Sequence, residues 1–180
     1  MKRDCVVAVL FLLALTGCSG GTSRSTAEAP PAPEPVAVAG VPNAVRVGDL
    51  LFGGQPTEDA LRMLKGEGYR TVLSTRGEGE AAWDEKALVD SLGMAFAAIP
   101  MGYPIEAITD AEVDRFDDLM QHGERPMVLH CSSGNRVAGL WAVWLVERRG
   151  MDRAQALELG TKAGMTRIRP VVEKRLGKGS

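Results

Sequence analysis

The chain has 180 residues, 45% of them hydrophobic and 24% charged, with a formal net charge of −2, three cysteines and two histidines. That length and apolar content suit one ordinary domain built on a single core. A slight acidic excess argues against a nucleic-acid partner, which needs a basic surface.

Met1-Lys2-Arg3 is a basic start, Val6 to Leu15 is an unbroken apolar run, and Leu15-Thr16-Gly17 leads into Cys18. The run falls well short of the roughly 20 residues that span a hydrocarbon core. The pattern resembles a bacterial lipoprotein signal peptide. The resemblance implies cleavage before Cys18, lipidation of Cys18 and an exported, membrane-anchored protein whose domain faces the periplasm or the cell exterior. The expected division is a signal peptide at 1–17, a lipidated tether rich in Pro, Ala and Ser at 18–40, and a folded domain at 41–180. Pro30, Pro31, Pro33 and Pro35 mark the tether as a segment that cannot bury a core. With Cys5 in the signal and Cys18 acylated, Cys131 is the one thiol of the mature domain, so no intrachain disulfide can form.

Within the domain, Val45 to Phe52 reads as a hairpin around Gly48-Asp49, followed by the turn Gly53-Gly54-Gln55-Pro56. Thr57 caps a helix whose first turn holds Glu58 and Asp59 and which stops near Gly66. Tyr69 to Ser74 is a buried strand that delivers Arg76 and the loop Gly77-Glu78-Gly79-Glu80 at its end. A helix over Ala81 to Leu92, a strand over Met94 to Ile99 and a loop from Met101 to Ala107 follow. Thr109-Asp110-Ala111-Glu112 has capping-box spacing ahead of a helix with Val113, Phe116, Leu119 and Met120 on its apolar face. Met127-Val128-Leu129 is a short strand running into His130 and Cys131. Helices over Arg136 to Arg149, Asp152 to Ala163 and Thr166 to Leu176 complete the chain. Strands alternating with helices predict an α/β domain with a central, mainly parallel sheet flanked by helices in three layers.

Chemistry concentrates in His130-Cys131-Ser132-Ser133-Gly134-Asn135-Arg136. A small-residue loop between a strand end and a helix start turns backbone N–H groups toward one point, where the helix dipole also favours an anion. A cysteine at the base of such a loop, beside an arginine, is favoured as thiolate. Arg136 offers a planar fork of donors that suits two oxygens of a phosphate-like group. Cys131 is thus the candidate nucleophile, with Ser132, Ser133, Gly134, Asn135 and Arg136 as the anion cradle.

His130-Cys131-x-x-Gly134 followed by an arginine resembles the active loop of protein-tyrosine and dual-specificity phosphatases. The wider pattern is similar to the phosphatase domains of bacterial beta-lactamase-hydrolase-like proteins and those fused to NAD kinases. It covers Gly53 to Thr57, Val72 to Arg76 with Glu80, Ile99-Pro100, and Val128 to Trp141. The resemblance implies the dual-specificity phosphatase fold and hydrolysis of a phosphorylated small molecule or phosphoprotein through a Cys131 thiophosphate. It also implies an acid on a loop before the cysteine strand, for which Asp110 is the first candidate and Glu106 the second. Only four residues separate Cys131 from Arg136, one fewer than in the usual phosphatase loop, and Val137 stands where a Ser or Thr often follows the arginine. The shorter spacing resembles rhodanese loops. A sulfurtransferase working through a Cys131 persulfide, and a phosphate-binding module without turnover, therefore stand as alternatives.

Arg76 follows a strand whose C-terminal end should lie beside the cysteine loop, where it would add a second positive group for substrate or else pair with Glu78 or Glu80. His130 is expected to orient the loop rather than act as a base, and His122 to lie on the surface. Trp141 and Trp144 are spaced for core packing, so no cofactor is implied. One cysteine and two histidines make no metal-ligand cluster in the domain, and no metal is expected.

Overall fold

Successive residues of a β-strand face opposite sides of the sheet, and here that alternation divides the core in two. Leu51, Val72 and Val128 enter one buried cluster with Leu61 and Leu64. Their neighbours Phe52, Leu73 and Leu129 enter the other with Val113, Phe116, Leu140 and Trp141. The computed structural model describes residues 29–77, 79, 80, 82–102 and 104–177. Among these the strands are β1 (Glu34–Pro35), β2 (Val45–Val47), β3 (Leu50–Gly53), β4 (Thr71–Ser74), β5 (Ala95–Ala98) and β6 (Met127–His130). The helices are α1 (Glu58–Gly66), α2 (Glu85–Ser91), α3 (Asp110–His122), α4 (Asn135–Glu147), α5 (Arg153–Lys162) and α6 (Arg169–Leu176).

The sheet has the order β1-β2-β3-β6-β4-β5. β2 runs antiparallel to its neighbours β1 and β3, and β3, β6, β4 and β5 run parallel. This is the expected α/β architecture with a mainly parallel sheet between two helical layers. α1 and α2 cover one face, and α3 to α6 the other. α4 is the central helix, with every residue from Arg136 to Leu145 buried. Trp141 packs its ring 5.1 Å from Phe52, and Trp144 meets Phe116 edge-on at 5.9 Å while its Nε1 donates to Asp117, so both tryptophans are core residues.

The caps follow sequence chemistry. Thr57 Oγ1 accepts from the Ala60 N–H at the start of α1. Thr109 and Glu112 form the reciprocal capping box of α3. Two boundaries differ from expectation. α2 starts at Glu85, not near Ala81, because Asp84 takes the N-cap position and accepts from the Ala87 N–H. The domain also begins before Val41: Glu34 and Pro35 pair with Arg46 and Val45, and Val36 and Val38 pack on the smaller core cluster. Proline at an edge strand costs the sheet little, since its missing N–H can face outward, and the valines between the prolines provide apolar surface. The tether expected to reach residue 40 is therefore joined to the domain from Glu34 onward. The signal peptide at 1–17 and Cys18 lie outside the described residues.

Candidate functional site

β3, β4 and β6 are parallel and in register, with Gly53 and Ser74 both level with His130. The segments leaving their C-terminal ends, which carry Gln55, Arg76 and Cys131, therefore emerge side by side. Open α/β sheets bind ligands at this edge.

Cys131 is buried and lies at the base of the turn into α4. The Gly134 N–H donates to its Sγ at 3.1 Å and the Ser133 N–H at 3.5 Å. Gly134 takes φ +89°, and a Cβ there would stand 3.3 Å from the Gly53 carbonyl group, so the turn that aims these donors requires glycine. Burial alone would push the Cys131 thiol up. The backbone N–H groups of Ser133, Arg136 and Val137 and the Arg136 guanidinium outweigh it, and the thiol is held below its ordinary value. Val137 itself is fully buried in the core and brings no hydroxyl to the sulfur.

Arg136 leaves the first turn of α4 and is nearly buried. Its Nη1 donates to Glu80 Oε1 at 2.7 Å and to the Met101 carbonyl at 2.6 Å, and its Nη2 donates to Glu80 Oε2 and to Ser132 Oγ at 2.8 Å. The hydrogen bonds from Arg136 hold the Glu80 carboxyl below its usual range, against the opposing effect of burial. Of these bonds, the one to Ser132 Oγ lies within the cysteine loop itself.

Behind the loop runs a buried polar chain. His130 is fully buried; its Nε2 lies 2.9 Å from Glu85 Oε1, off the line of an ideal hydrogen bond, and its Nδ1 lies 3.4 Å from the Cys131 carbonyl. Gln55 Nε2 donates to the same Glu85 oxygen at 2.8 Å, and Arg76 Nη1 donates to Gln55 Oε1. His130 thus lies behind the loop, between Glu85 and the Cys131 carbonyl. Arg76 is turned toward Gln55 and is not part of the cavity wall in front of Cys131, so its expected contact with substrate is replaced by a supporting one.

The cavity has a volume of about 820 Å³ and is lined by Cys131, Ser132, Ser133, Asn135 and Arg136 with Glu80. Pro104, Ile105, Ile168 and Val171 form an apolar wall, and Arg167 stands among them. The Asn135 side chain has a task of its own: its Oδ1 accepts from the Thr166 N–H at 2.7 Å, the Thr166 hydroxyl at 3.1 Å and the Ile168 N–H at 3.3 Å. The amide oxygen ties the α5–α6 connection to the cysteine loop.

Asp110 is not brought to the site. It is exposed at the start of α3 and paired with Arg175, which holds its carboxyl below the usual range. A general acid needs the opposite shift. Glu106 is exposed and next to Ile105 of the cavity wall. Glu78 and Tyr103 lie outside the described residues. His122 is exposed on α3 beside Asp118. Glu85 and Gln55 were not singled out for this role. A glutamate in the first turn of a helix reads as a dipole partner, and only the motif around Gln55-Pro56 hinted that the amide had a task.

The family model described as DSP-PTPase phosphatase fused to NAD+ kinase matches residues 44–171. A beta-lactamase hydrolase-like protein of Agrobacterium fabrum is 29% identical over 106 residues, which make up 56% of this chain and 24% of that protein. The chain thus spans about a quarter of that relative's length. Among solved structures, TpbA of P. aeruginosa superposes with a TM-score of 0.64 at 20% identity, covering 83% of this chain and 91% of that one. A cysteine-to-serine variant of TpbA in complex with pTyr gives 0.62 at 21% identity, covering 84% and 90%.

Proposed function

Because the chain belongs to the family of DSP-PTPase phosphatases fused to NAD+ kinase, we propose that it is a phosphoric monoester hydrolase with Cys131 as its nucleophile. The observation that carries this reading is the convergence on one cavity of a lowered-pKa Cys131, the backbone N–H groups of Ser133 and Gly134, and the forked donors of Arg136.

In the proposed reaction, the Cys131 thiolate attacks phosphorus while the bond from phosphorus to the ester oxygen breaks. The leaving oxygen takes up a proton, and a thiophosphate forms on the sulfur. Water then attacks that phosphorus, releasing inorganic phosphate and restoring the thiolate. The loop N–H groups and Arg136 hold the three non-bridging oxygens as charge spreads over them. The apolar wall suits an aryl ester, and the pTyr in the TpbA complex supports phosphotyrosine as the first substrate to test.

The sulfurtransferase and binding-only readings make opposite assay predictions. Purified protein should release phosphate from 4-nitrophenyl phosphate and from phosphotyrosine, and Cys131→Ser should not. Thiocyanate formation from thiosulfate and cyanide without phosphate release would overturn the proposal. Phosphate binding without turnover would also overturn it.

The proposal includes a lipid anchor on Cys18, with residues 1–17 as the signal. Just before the chain joins the domain at Glu34, Pro30 and Pro31 lie beside the Gly48 turn, at the end of the sheet opposite Cys131, which supports an anchor that leaves the cavity mouth clear. Mass spectrometry of protein extracted from membranes should find Cys18 as a diacyl- or triacyl-modified N-terminus; an intact residue 17–18 peptide bond would overturn this part.

A further inference from the structure

At the end of the sheet opposite Cys131, where β3 and β6 start at Leu50 and Met127, the helical layer does not close. A second cavity of about 540 Å³ lies there, between the β2–β3 turn at Gly48-Asp49, the C-terminal ends of α3 and α4, and the start of α5. Its lining is aliphatic and thioether, from Leu50, Met120, Leu145 and Met151, and Pro30 and Pro31 of the N-terminal segment form one side. Small-molecule sites commonly measure about 300–1,000 Å³ and join a mainly apolar wall to a few polar groups. Two observations set the chemistry of the occupant. Trp141 and Trp144 border the cavity, yet they are only 0% and 7% exposed, because Phe52, Phe116 and the Arg149 guanidinium lie against their rings. An aromatic ligand finds no free ring face to stack on, whereas a flexible chain can follow the aliphatic side chains and the adaptable thioethers.

The second observation is charge. At the rim Arg125 donates to Asp49, and Asp152 accepts from the Gln155 N–H as the N-cap of α5. Arg149 is exposed, with its guanidinium 5.6 Å from the centre of the Trp144 ring. Its neighbour Arg148 is paired with Asp114 and Glu147, and the two oxygens of Asp117 accept from Trp144 Nε1 and Gln121. Among the described residues Arg149 forms no ion pair, so the rim offers one cation to an incoming anion. We propose that this cavity binds a free fatty acid, its hydrocarbon chain between Leu50, Met120, Leu145 and Met151 and its carboxylate at Arg149. An acyl chain held as an ester or amide brings no negative charge to Arg149, so the free acid is the form that the rim selects. The site is separate from the cysteine loop and rests on neither the phosphatase reading nor the lipid anchor.

Calorimetric titration of the full chain with decanoate, below its micelle concentration, tests the site. Binding should be one to one and about tenfold tighter than that of hexanoate, since the longer chain removes more apolar surface from water. Arg149→Ala should weaken decanoate about three- to fivefold, the size expected of one exposed ion pair, and leave 1-decanol unchanged; the loss should shrink in high salt. Met151→Trp, which puts an indole into the cavity, should weaken both ligands by about tenfold or more. Independently of any variant, nuclear Overhauser contacts from the decanoate methylenes to the Met120 and Met151 methyl groups are expected at saturation. Absence of saturable binding would overturn the proposal, as would saturable binding without those contacts, because the acid then sits elsewhere. Equal losses of decanoate and 1-decanol in Arg149→Ala would remove the carboxylate from Arg149. Phenylacetate binding more tightly than decanoate would overturn the choice of a chain over a ring.

Discussion

Glu80 grips Arg136 with both carboxylate oxygens, Oε1 on Nη1 and Oε2 on Nη2, and so fixes the plane of the guanidinium that faces the cavity. Arg136 is 5% exposed, and among the described residues no other carboxylate would meet its charge if Glu80 became an amide. Breaking a fully buried pair costs about 3–5 kcal/mol, but the Glu80 side chain is 27% exposed and water softens the loss. Glu80→Gln should therefore lose about 1–2 kcal/mol in urea unfolding. Its kcat/KM on an aryl phosphate should fall about tenfold, since a fork that can rotate no longer presents two donors to one phosphate. Unchanged stability and activity would show that the pair does not position the arginine.

The lowered Cys131 thiol has a consequence for pH. The folded protein gives up this proton at lower pH than the unfolded chain does, so the stabilisation is complete above the ordinary thiol value of 9.0 and is lost as pH falls through the folded value. Wild-type stability should rise with pH across that window relative to Cys131→Ser. The rate at which iodoacetamide modifies Cys131, followed by peptide mass mapping to separate it from Cys5 and Cys18, should half-saturate below 9.0. A midpoint at or above 9.0 would mean that burial wins over the loop N–H groups and Arg136.

Much of this was legible in the chain because it is local. Short apolar runs between turn residues marked β3, β4 and β6, the Thr57 and Thr109 caps marked helix starts, and strand, small-residue turn and helix put Cys131 and Arg136 at one site. What could not be read depends on pairs far apart in sequence. Glu80 meets Arg136 and Gln55 meets Glu85 only because parallel strands in register bring their C-terminal ends together. Asp110 shows the converse. Its place ahead of the cysteine strand and in the first turn of a helix fitted both a catalytic and a dipole-stabilising role, and only Arg175, from the last helix, decides which way the carboxylate is engaged.

Catalysis of ester cleavage without a poised acid should depend steeply on the leaving group. Glu80 is the carboxylate among the described residues lining the cavity, and Arg136 keeps it ionised. Phosphate release from a series of aryl phosphates should fall as the phenol becomes more basic, and alkyl phosphates should be poor substrates. Asp110→Asn should leave that slope unchanged. A steeper slope in Asp110→Asn would restore it as the acid; a steeper slope in Glu106→Gln would assign the role there.

Asn135 separates structure from charge in the loop. Its Oδ1 accepts all the bonds that hold Thr166 and Ile168, so Asn135→Asp keeps every acceptor and Asn135→Ala removes them. The alanine variant should lose about 1–2 kcal/mol, the net value of a partly exposed hydrogen-bond set with the Thr166 and Ile168 main-chain donors left short of a partner. The aspartate variant should keep its stability but place a negative charge beside the anion cradle, raising KM for an aryl phosphate about three- to fivefold with kcat little changed. That increase should shrink in high salt. An aspartate variant as unstable as the alanine one would show that the amide nitrogen, not the oxygen, holds the α5–α6 connection.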